Sequence, residues 1–218
     1  MRIAIGDIHG RRFWKRYLDA EYTDYYLLGD YFDSPDIPYH VQYENFLEIV
    51  KAARNDARVK LCLGNHDYHY YLADDTERYS GYQRQHAAEI HALLAACADV
   101  LNVVYVCAGA VLVSHAGISN TFMKNGGFSC PEALNAAFRE NPALFRFNGT
   151  DIYGDNVEQG PLWIRPDSLY ADAYTGYSQV VGHTPTPNVY TREIPAQSCA
   201  VCTLTFIITP DRDCVYVC

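Results

Sequence analysis

Five short stretches of this chain carry Asp, Asn and His side chains that could act together: Gly6-Asp7-Ile8-His9-Gly10, Gly29-Asp30-Tyr31-Phe32-Asp33, Gly64-Asn65-His66-Asp67, Ser114-His115-Ala116-Gly117 and Gly182-His183-Thr184. Asp7 and His9 are two apart, so in an extended segment their side chains leave one face and can grip a single ion. Asp30 could complete that ion and reach a second with its other oxygen. Asn65, His115 and His183 then offer a neutral amide oxygen and two imidazoles to the second ion. Oxygen and nitrogen ligands without thiolate suit Mn²⁺, Fe or Zn²⁺ rather than Ca²⁺.

The charge balance points to phosphate chemistry. Two divalent ions set against the carboxylates of Asp7 and Asp30 leave the site about two units positive. That excess can hold a phosphate dianion and lower the pKa of a bridging water towards hydroxide. His66 follows Asn65 directly and need not be a ligand; it could give a proton to a leaving alkoxide. Asp33, three residues after Asp30, is the candidate partner for its charged form. Asp67 is a candidate acceptor for a ligand imidazole.

The elements that must position these groups read as strands and helices in alternation. Ile3-Ala4-Ile5, Tyr25-Tyr26-Leu27-Leu28 and Val59-Lys60-Leu61-Cys62-Leu63 are apolar runs, each stopped by Gly and a small oxygen-bearing side chain. Residues 11–20 and 41–54 between them have helical character, the latter with Phe46, Leu47 and Val50 at helical spacing. This order implies a parallel sheet with right-handed crossovers, whose ligands bind beyond the carboxyl ends of its strands. An alanine-rich helix is expected over 83–98, with Ala87, Ile90, Leu94 and Cys97 as its packing face. Residues 103–106 and 110–113 read as adjacent strands turning near Gly109. A short helix is expected from Pro131 and a strand at Gln179-Val180-Val181. A tail hairpin is expected to turn at Pro210-Asp211-Arg212-Asp213. One domain over 1–218 is expected, its looser 120–172 segment lying near the substrate pocket.

Composition narrows the class. With 49% apolar and 20% charged residues, the 218-residue chain should fold around one sizeable core. No apolar run is long enough to span a bilayer, so no membrane partner is expected. The opening Met1 to Asp7 is too short and too soon acidic for a secretory signal, which points to a cytoplasmic protein. A net charge of −9 without a basic cluster argues against a nucleic-acid-binding face. Of the eight cysteines, Cys62, Cys97 and Cys107 lie in or beside apolar runs and read as reduced core thiols. Cys199, Cys202, Cys214 and Cys218 have spacing reminiscent of a zinc site, but on alternating strand faces their sulfurs would point apart.

Taken in order over nearly the whole chain, the five motifs resemble the calcineurin-like metallophosphoesterases. His115-Ala116-Gly117 and His183-Thr184 are most similar to the branch with serine/threonine protein phosphatases and bacterial dinucleoside-tetraphosphatases. The resemblance implies an α/β fold, a β-sandwich of two sheets flanked by helices, with the metal site at strand carboxyl ends. It implies that Asp7, His9 and Asp30 hold one metal, that Asp30, Asn65, His115 and His183 hold the other, and that His66 is the general acid with Asp33 as its partner. Two departures stand out. Ser34-Pro35 occupies the place where that branch carries a phosphate-gripping Arg-Gly, and Asp67 stands where it has Glu. Arg165, in Trp163-Ile164-Arg165-Pro166, resembles a phosphate-binding Arg of bacterial members, and a guanidinium forks well onto phosphate oxygens.

The function implied is hydrolysis of a phosphomonoester or nucleotide polyphosphate by a metal-bridging hydroxide, acting on a small-molecule phosphate ester or a phosphorylated substrate. The alternative is an inactive scaffold or binding protein on the same fold, which predicts lost ligands; none of the seven ligand and acid positions is lost. Taken singly, Asp7, Asp30 and Asn65 could be helix caps and the histidines core residues. Together, caps do not explain four histidines at strand ends. His40, His86 and His91 lack this context, while His69 could reach the pocket rim. The 19 tyrosines could stack on a nucleobase but more commonly serve packing.

Overall fold

The computed structural model describes residues 1–18, 21–72, 78–148, 155–185, 189–194, 203–206 and 215–217. In chain order the elements are β1 (Arg2–Ile5), α1 (Lys15–Leu18), β2 (Asp24–Leu27), α2 (Tyr39–Asn55), β3 (Val59–Cys62), α3 (Asn65–Tyr71) and α4 (Ala87–Ala96). There follow β4 (Leu101–Asn102), β5 (Val104–Cys107), β6 (Val111–Ser114), α5 (Asn120–Asn125), α6 (Ala133–Glu140) and α7 (Pro166–Asp172). Strands β7 (Ser178–Val181), β8 (Tyr190–Glu193), β9 (Thr203–Phe206) and β10 (Val215–Val217) complete the order.

The strands form two sheets, β10-β1-β2-β3-β4 and β5-β6-β7-β9-β8. β1, β2, β3 and β4 run parallel, with Ile3 opposite Tyr25 and Tyr25 opposite Val59. Because successive strand residues face opposite ways, one run of sequence supplies two cores. Ile3, Ile5, Tyr25, Leu27 and Leu61 pack with Phe46, Ile49 and Val50 of α2. Ala4, Tyr26 and Cys62 face the second sheet and meet Cys107, Val113 and Val180. Both faces of the first sheet are thus covered, as a parallel sheet requires, and the expected two-sheet α/β architecture is present. Cys62, Cys97 and Cys107 are buried free thiols.

Several expectations shift in detail. Helix α2 buries Phe46 and Val50 together with Ile49, but Leu47 is 42% exposed, because it lies about a hundred degrees around the helix from Phe46. The helix expected over 11–20 shortens to α1, and Asp19 and Ala20 lie outside the described residues. The 83–98 segment is a 3₁₀ turn at Arg84–His86 followed by α4. The tail is not a hairpin. β9 runs parallel to β7 in the second sheet, whereas β10 runs antiparallel to β1 in the first. Sending the two segments to different sheets gives β1 and β7 each a neighbour, so neither is left as a bare edge. The four tail cysteines and residues 210–213 lie outside the described residues. Strand β8, all four residues of it exposed, carries no alternation that sequence reading could use.

Candidate metal centre

The carboxyl ends of β1, β2, β3, β6 and β7 lead directly into the five motifs, and the parallel course of β1, β2 and β3 and of β6 and β7 brings those ends to one side. The β1–β2 ladder continues into the loops. Ile8 N–H donates to Gly29 O at 3.2 Å, His9 N–H to Asp30 O at 2.6 Å and Gly10 N–H to Tyr31 O at 3.0 Å. Gly182 N–H donates to His115 O at 2.7 Å, tying the two second-sheet histidine loops together. Five non-glycine residues have positive φ among the described residues, and four of them are His9, Asp30, Asp33 and His183. Backbone strain of this kind persists only where surrounding contacts over-determine it, and here it collects at one site. The expected extended geometry between Asp7 and His9 is therefore absent, since His9 has φ of 41°. The β1–β2 ladder, not a strand face, brings these two side chains to the site.

The imidazoles are oriented by main-chain carbonyls. His9 Nδ1 lies 2.7 Å from Phe32 O, His115 Nδ1 2.8 Å from Leu28 O and His183 Nε2 3.1 Å from Trp163 O. A carbonyl only accepts, so the nitrogen facing it carries the hydrogen and the other nitrogen keeps its lone pair. His115 Nε2 lies 2.9 Å from Asn65 Oδ1 and 3.2 Å from His183 Nδ1, and His183 Nδ1 lies 3.0 Å from the same Asn65 oxygen. Three acceptor atoms thus converge with no hydrogen between them. Burial, with His115 and Arg165 nearby, pushes His183 well below its usual pKa, so it offers no second proton. Such a cluster of lone pairs is repulsive unless a cation lies among them, which is the donor set a borderline metal ion takes.

The carboxylates extend this cluster. Asp30 Oδ1 accepts from His66 N–H at 2.9 Å and lies 3.5 Å from His115 Nε2, while its Oδ2 lies 3.7 Å from His9 Nε2. The two oxygens therefore face different imidazoles. Asp7 Oδ1 accepts from His183 N–H at 3.1 Å and lies 3.8 Å from His115 Nδ1. Burial raises the Asp7 carboxyl against the pull of His115. Burial also acts on Asp30, but His115, His66 and His9 outweigh it and hold that carboxyl well below the usual range. Gly64 allows the close approach, since a Cβ there would sit 2.1 Å from Asp30 Oδ1.

A second group lies beside the first. His66 Nδ1 is 3.0 Å from Asp33 Oδ2, as the sequence pairing anticipated. Burial opposes the charge on His66, but Asp30 and Asp33 raise its pKa to about 9. Burial likewise opposes the charge on Asp33, and a hydrogen bond from His66 together with the close His69 ring holds its carboxyl below the usual range. Arg165 is half-buried, reaches Thr184 Oγ1 at 3.3 Å, and feels Asp155, Asp30 and Asp7 against a burial that lowers its pKa. It stands beside the cluster. Ser34 does not: its hydroxyl donates to Asp36 Oδ1 at 2.8 Å and accepts from Ile37 N–H at 3.2 Å, closing a local turn.

Two expectations need correction. Asp67 holds no ligand imidazole; it accepts from the Tyr31 and Gly64 N–H groups at 2.8 and 3.0 Å and so braces the β2 and β3 loops. Its place is taken by the carbonyls of Leu28, Phe32 and Trp163, which leave no side-chain signal to read. His69 is not at a rim but 1% exposed, against Asp33.

A two-sheet α/β sandwich with imidazoles, carboxylates and an amide oxygen gathered at its strand ends defines a metal-dependent phosphoester hydrolase. Residues 2–209 match the family model described as calcineurin-like phosphoesterase, and the chain belongs to that family. Its fold is similar to that of a cold-active protein tyrosine phosphatase from a psychrophilic Shewanella species, at 18% identity and a TM-score of 0.53, over 86% of this chain and 66% of that one. It is also similar to a protein serine/threonine phosphatase from Saccharomyces cerevisiae, at 14% identity and a TM-score of 0.54, over 95% of this chain and 67% of that one. The chain spans about two thirds of the length of these structures. No curated protein matches the sequence. Among the described residues, no helix is long and apolar enough to cross a membrane.

Proposed function

We propose that the chain is a dinuclear phosphoesterase that hydrolyses a phosphomonoester or nucleotide polyphosphate, with 1–218 acting as one unit. The observation that carries this reading is the convergence of His115 Nε2, His183 Nδ1 and Asn65 Oδ1 within 2.9–3.2 Å, each imidazole with its proton committed to a carbonyl. Asn65, His115, His183 and Asp30 Oδ1 would hold one ion, and Asp7, His9 and Asp30 Oδ2 the other. The oxygen and nitrogen donors suit Mn, Fe or Zn. When bound, the ions supply positive charge for the phosphate and a water of lowered pKa.

The chain's own groups have separate tasks. Arg165 would bind a phosphate oxygen, since a guanidinium beside the buried carboxylates can turn to an anion once those carboxylates face cations. His66 would pass its Nε2 proton to the leaving oxygen, with Asp33 holding Nδ1–H and stabilising the charged ring. Cytoplasmic placement is supported by the free, buried thiols of Cys62, Cys97 and Cys107. With Ser34 closed into its own turn, no guanidinium grips phosphate at that position, which weakens the case for a dedicated protein phosphatase.

The test is a panel of an aryl phosphate monoester, an aryl phosphate diester and a dinucleoside polyphosphate, each with Mn²⁺, Fe²⁺ and Zn²⁺. Metal-dependent turnover of at least one is expected. Inactivity on all three with every metal rejects the reading.

A further inference from the structure

The Asp33 carboxylate has more partners than an acid–base pair requires. Its side chain is fully buried. Oδ2 faces both His66 Nδ1 at 3.0 Å and His69 Nε2 at 2.7 Å. Oδ1 accepts a short hydrogen bond from Tyr70 Oη and another from Gln83 Nε2 at 3.3 Å. These partners lead back to one segment. Tyr79 N–H donates to His69 Nδ1 at 3.3 Å, and Gln83 N–H donates to Tyr70 Oη at 2.7 Å. Gly81 of the same segment lies so close that a Cβ there would stand 2.9 Å from Asp33 Cβ.

The protons in this arrangement can be assigned. Tyr79 N–H can only donate, so His69 Nδ1 accepts and the ring hydrogen sits on Nε2, against Asp33. Asp33, His66 and His69 have the spacing of a metal-ligand triad, but a protonated Nε2 has no lone pair for a cation. His69 instead sets its Nε2 edge 2.7 Å from the carboxylate that orients His66, a close electrostatic contact without the alignment of a hydrogen bond. Tyr70 and Gln83 hold the other oxygen, so the carboxylate plane is constrained from both ends.

We infer that His69, with Tyr70, is a positioning residue that fixes the Asp33 carboxylate so that His66 presents its Nε2 proton to the leaving group. The inference rests on the hydrolytic reading above and concerns one step of it. A water oxygen bonds to phosphorus while the bond from phosphorus to the leaving oxygen breaks. The electron pair of that bond goes to the leaving oxygen, which takes the His66 proton to become an alcohol. His66 is reprotonated by the proton the attacking water sheds, so one water is consumed.

The experiment compares glycerol phosphate, whose alkoxide needs a proton to leave, with p-nitrophenyl phosphate, whose phenolate does not. Both are assayed with Mn²⁺-loaded full-length chain, its His69→Phe and His69→Gln variants, and Tyr70→Phe. His69→Phe keeps the buried volume without the ring N–H, and His69→Gln restores an N–H near Nε2. His69→Phe is expected to lose kcat about tenfold on glycerol phosphate and about twofold on p-nitrophenyl phosphate, with KM unchanged and with His69→Gln recovering most of the loss. Tyr70→Phe, which only deletes an oxygen, should show the same selectivity and decides the matter if His69→Phe fails to fold. Equal losses on both substrates, or no loss on either, overturn the inference while leaving the hydrolytic reading intact. Inactivity of the unmutated chain on both substrates overturns the inference, whereas the hydrolytic reading falls only if the diester and the dinucleoside polyphosphate are also left intact with every metal.

Discussion

The two halves of this site are held by different means. Around the cation cluster, His9, His115 and His183 are each aimed by a main-chain carbonyl, whereas positive-φ backbone is common to both halves, at His9, Asp30 and His183 and at Asp33. Around the acid pair, Asp33 is aimed by side chains: His69, Tyr70 and Gln83. Main-chain anchors survive side-chain substitution, so the cation cluster should be sensitive to loss of its own ligands and of close-approach glycines such as Gly64, but not to substitution of the residues whose carbonyls aim it. The acid pair should be sensitive to residues that never touch substrate.

The largest expected effect removes Asp30, the residue proposed to be shared by both ions. Asp30→Ala should lose both cations by elemental analysis and lower kcat by about a thousandfold, since the charge that holds and activates the reacting groups goes with it. Retention of both ions with full turnover would break the assignment. Chelation tests the same half without mutation. With Asp7 and Asp30 left facing one another in a buried site, the metal-free chain should be less stable. The expected loss is about 3 kcal/mol at cation concentrations a hundredfold above the dissociation constant, read from urea midpoints with and without EDTA. An unchanged midpoint would mean that cations do not stabilise the native state.

This asymmetry also explains how far sequence reading reached. Asp7, Asp30, Asn65, His115 and His183 were legible because each stands where an apolar strand run stops. Their spacing along the chain reports the topology directly. His66 and Asp33 were legible through their neighbours. The anchors were not. A carbonyl such as Leu28 O or Trp163 O has no residue type to announce it, and His69 draws its meaning from Tyr79 N–H and Gly81 folding back onto Asp33. The parallel β1–β2–β3 core was readable from continuous apolar runs, whereas the tail was not. Nothing in Thr203–Phe206 or Val215–Val217 says which sheet each will join, because pairing with a distant strand competes with the local turn.

The acid half should respond on a smaller scale and in a different observable. His66→Ala should keep both cations and lose about a hundredfold in kcat on substrates with alkoxide leaving groups. Cation loss in this variant would merge the two halves into one unit and remove the contrast.

The smallest expected effect concerns pH and stability in the chelated chain. Burial opposes ionisation of Asp33, but the neighbouring His66 and His69 prevail and hold its folded pKa below the unfolded 3.8. A depressed carboxyl stabilises the fold above its unfolded pKa and loses that contribution as pH falls through the folded value. Between about pH 5 and about pH 2, the wild type should therefore lose more urea stability than Asp33→Asn, which has no proton to take up at that position. Equal losses would mean that Asp33 is not held ionised by its neighbours. The side-chain cage would then shape the site without biasing its charge. Because His66 stays protonated in both variants over this range, the difference isolates Asp33 from its partner.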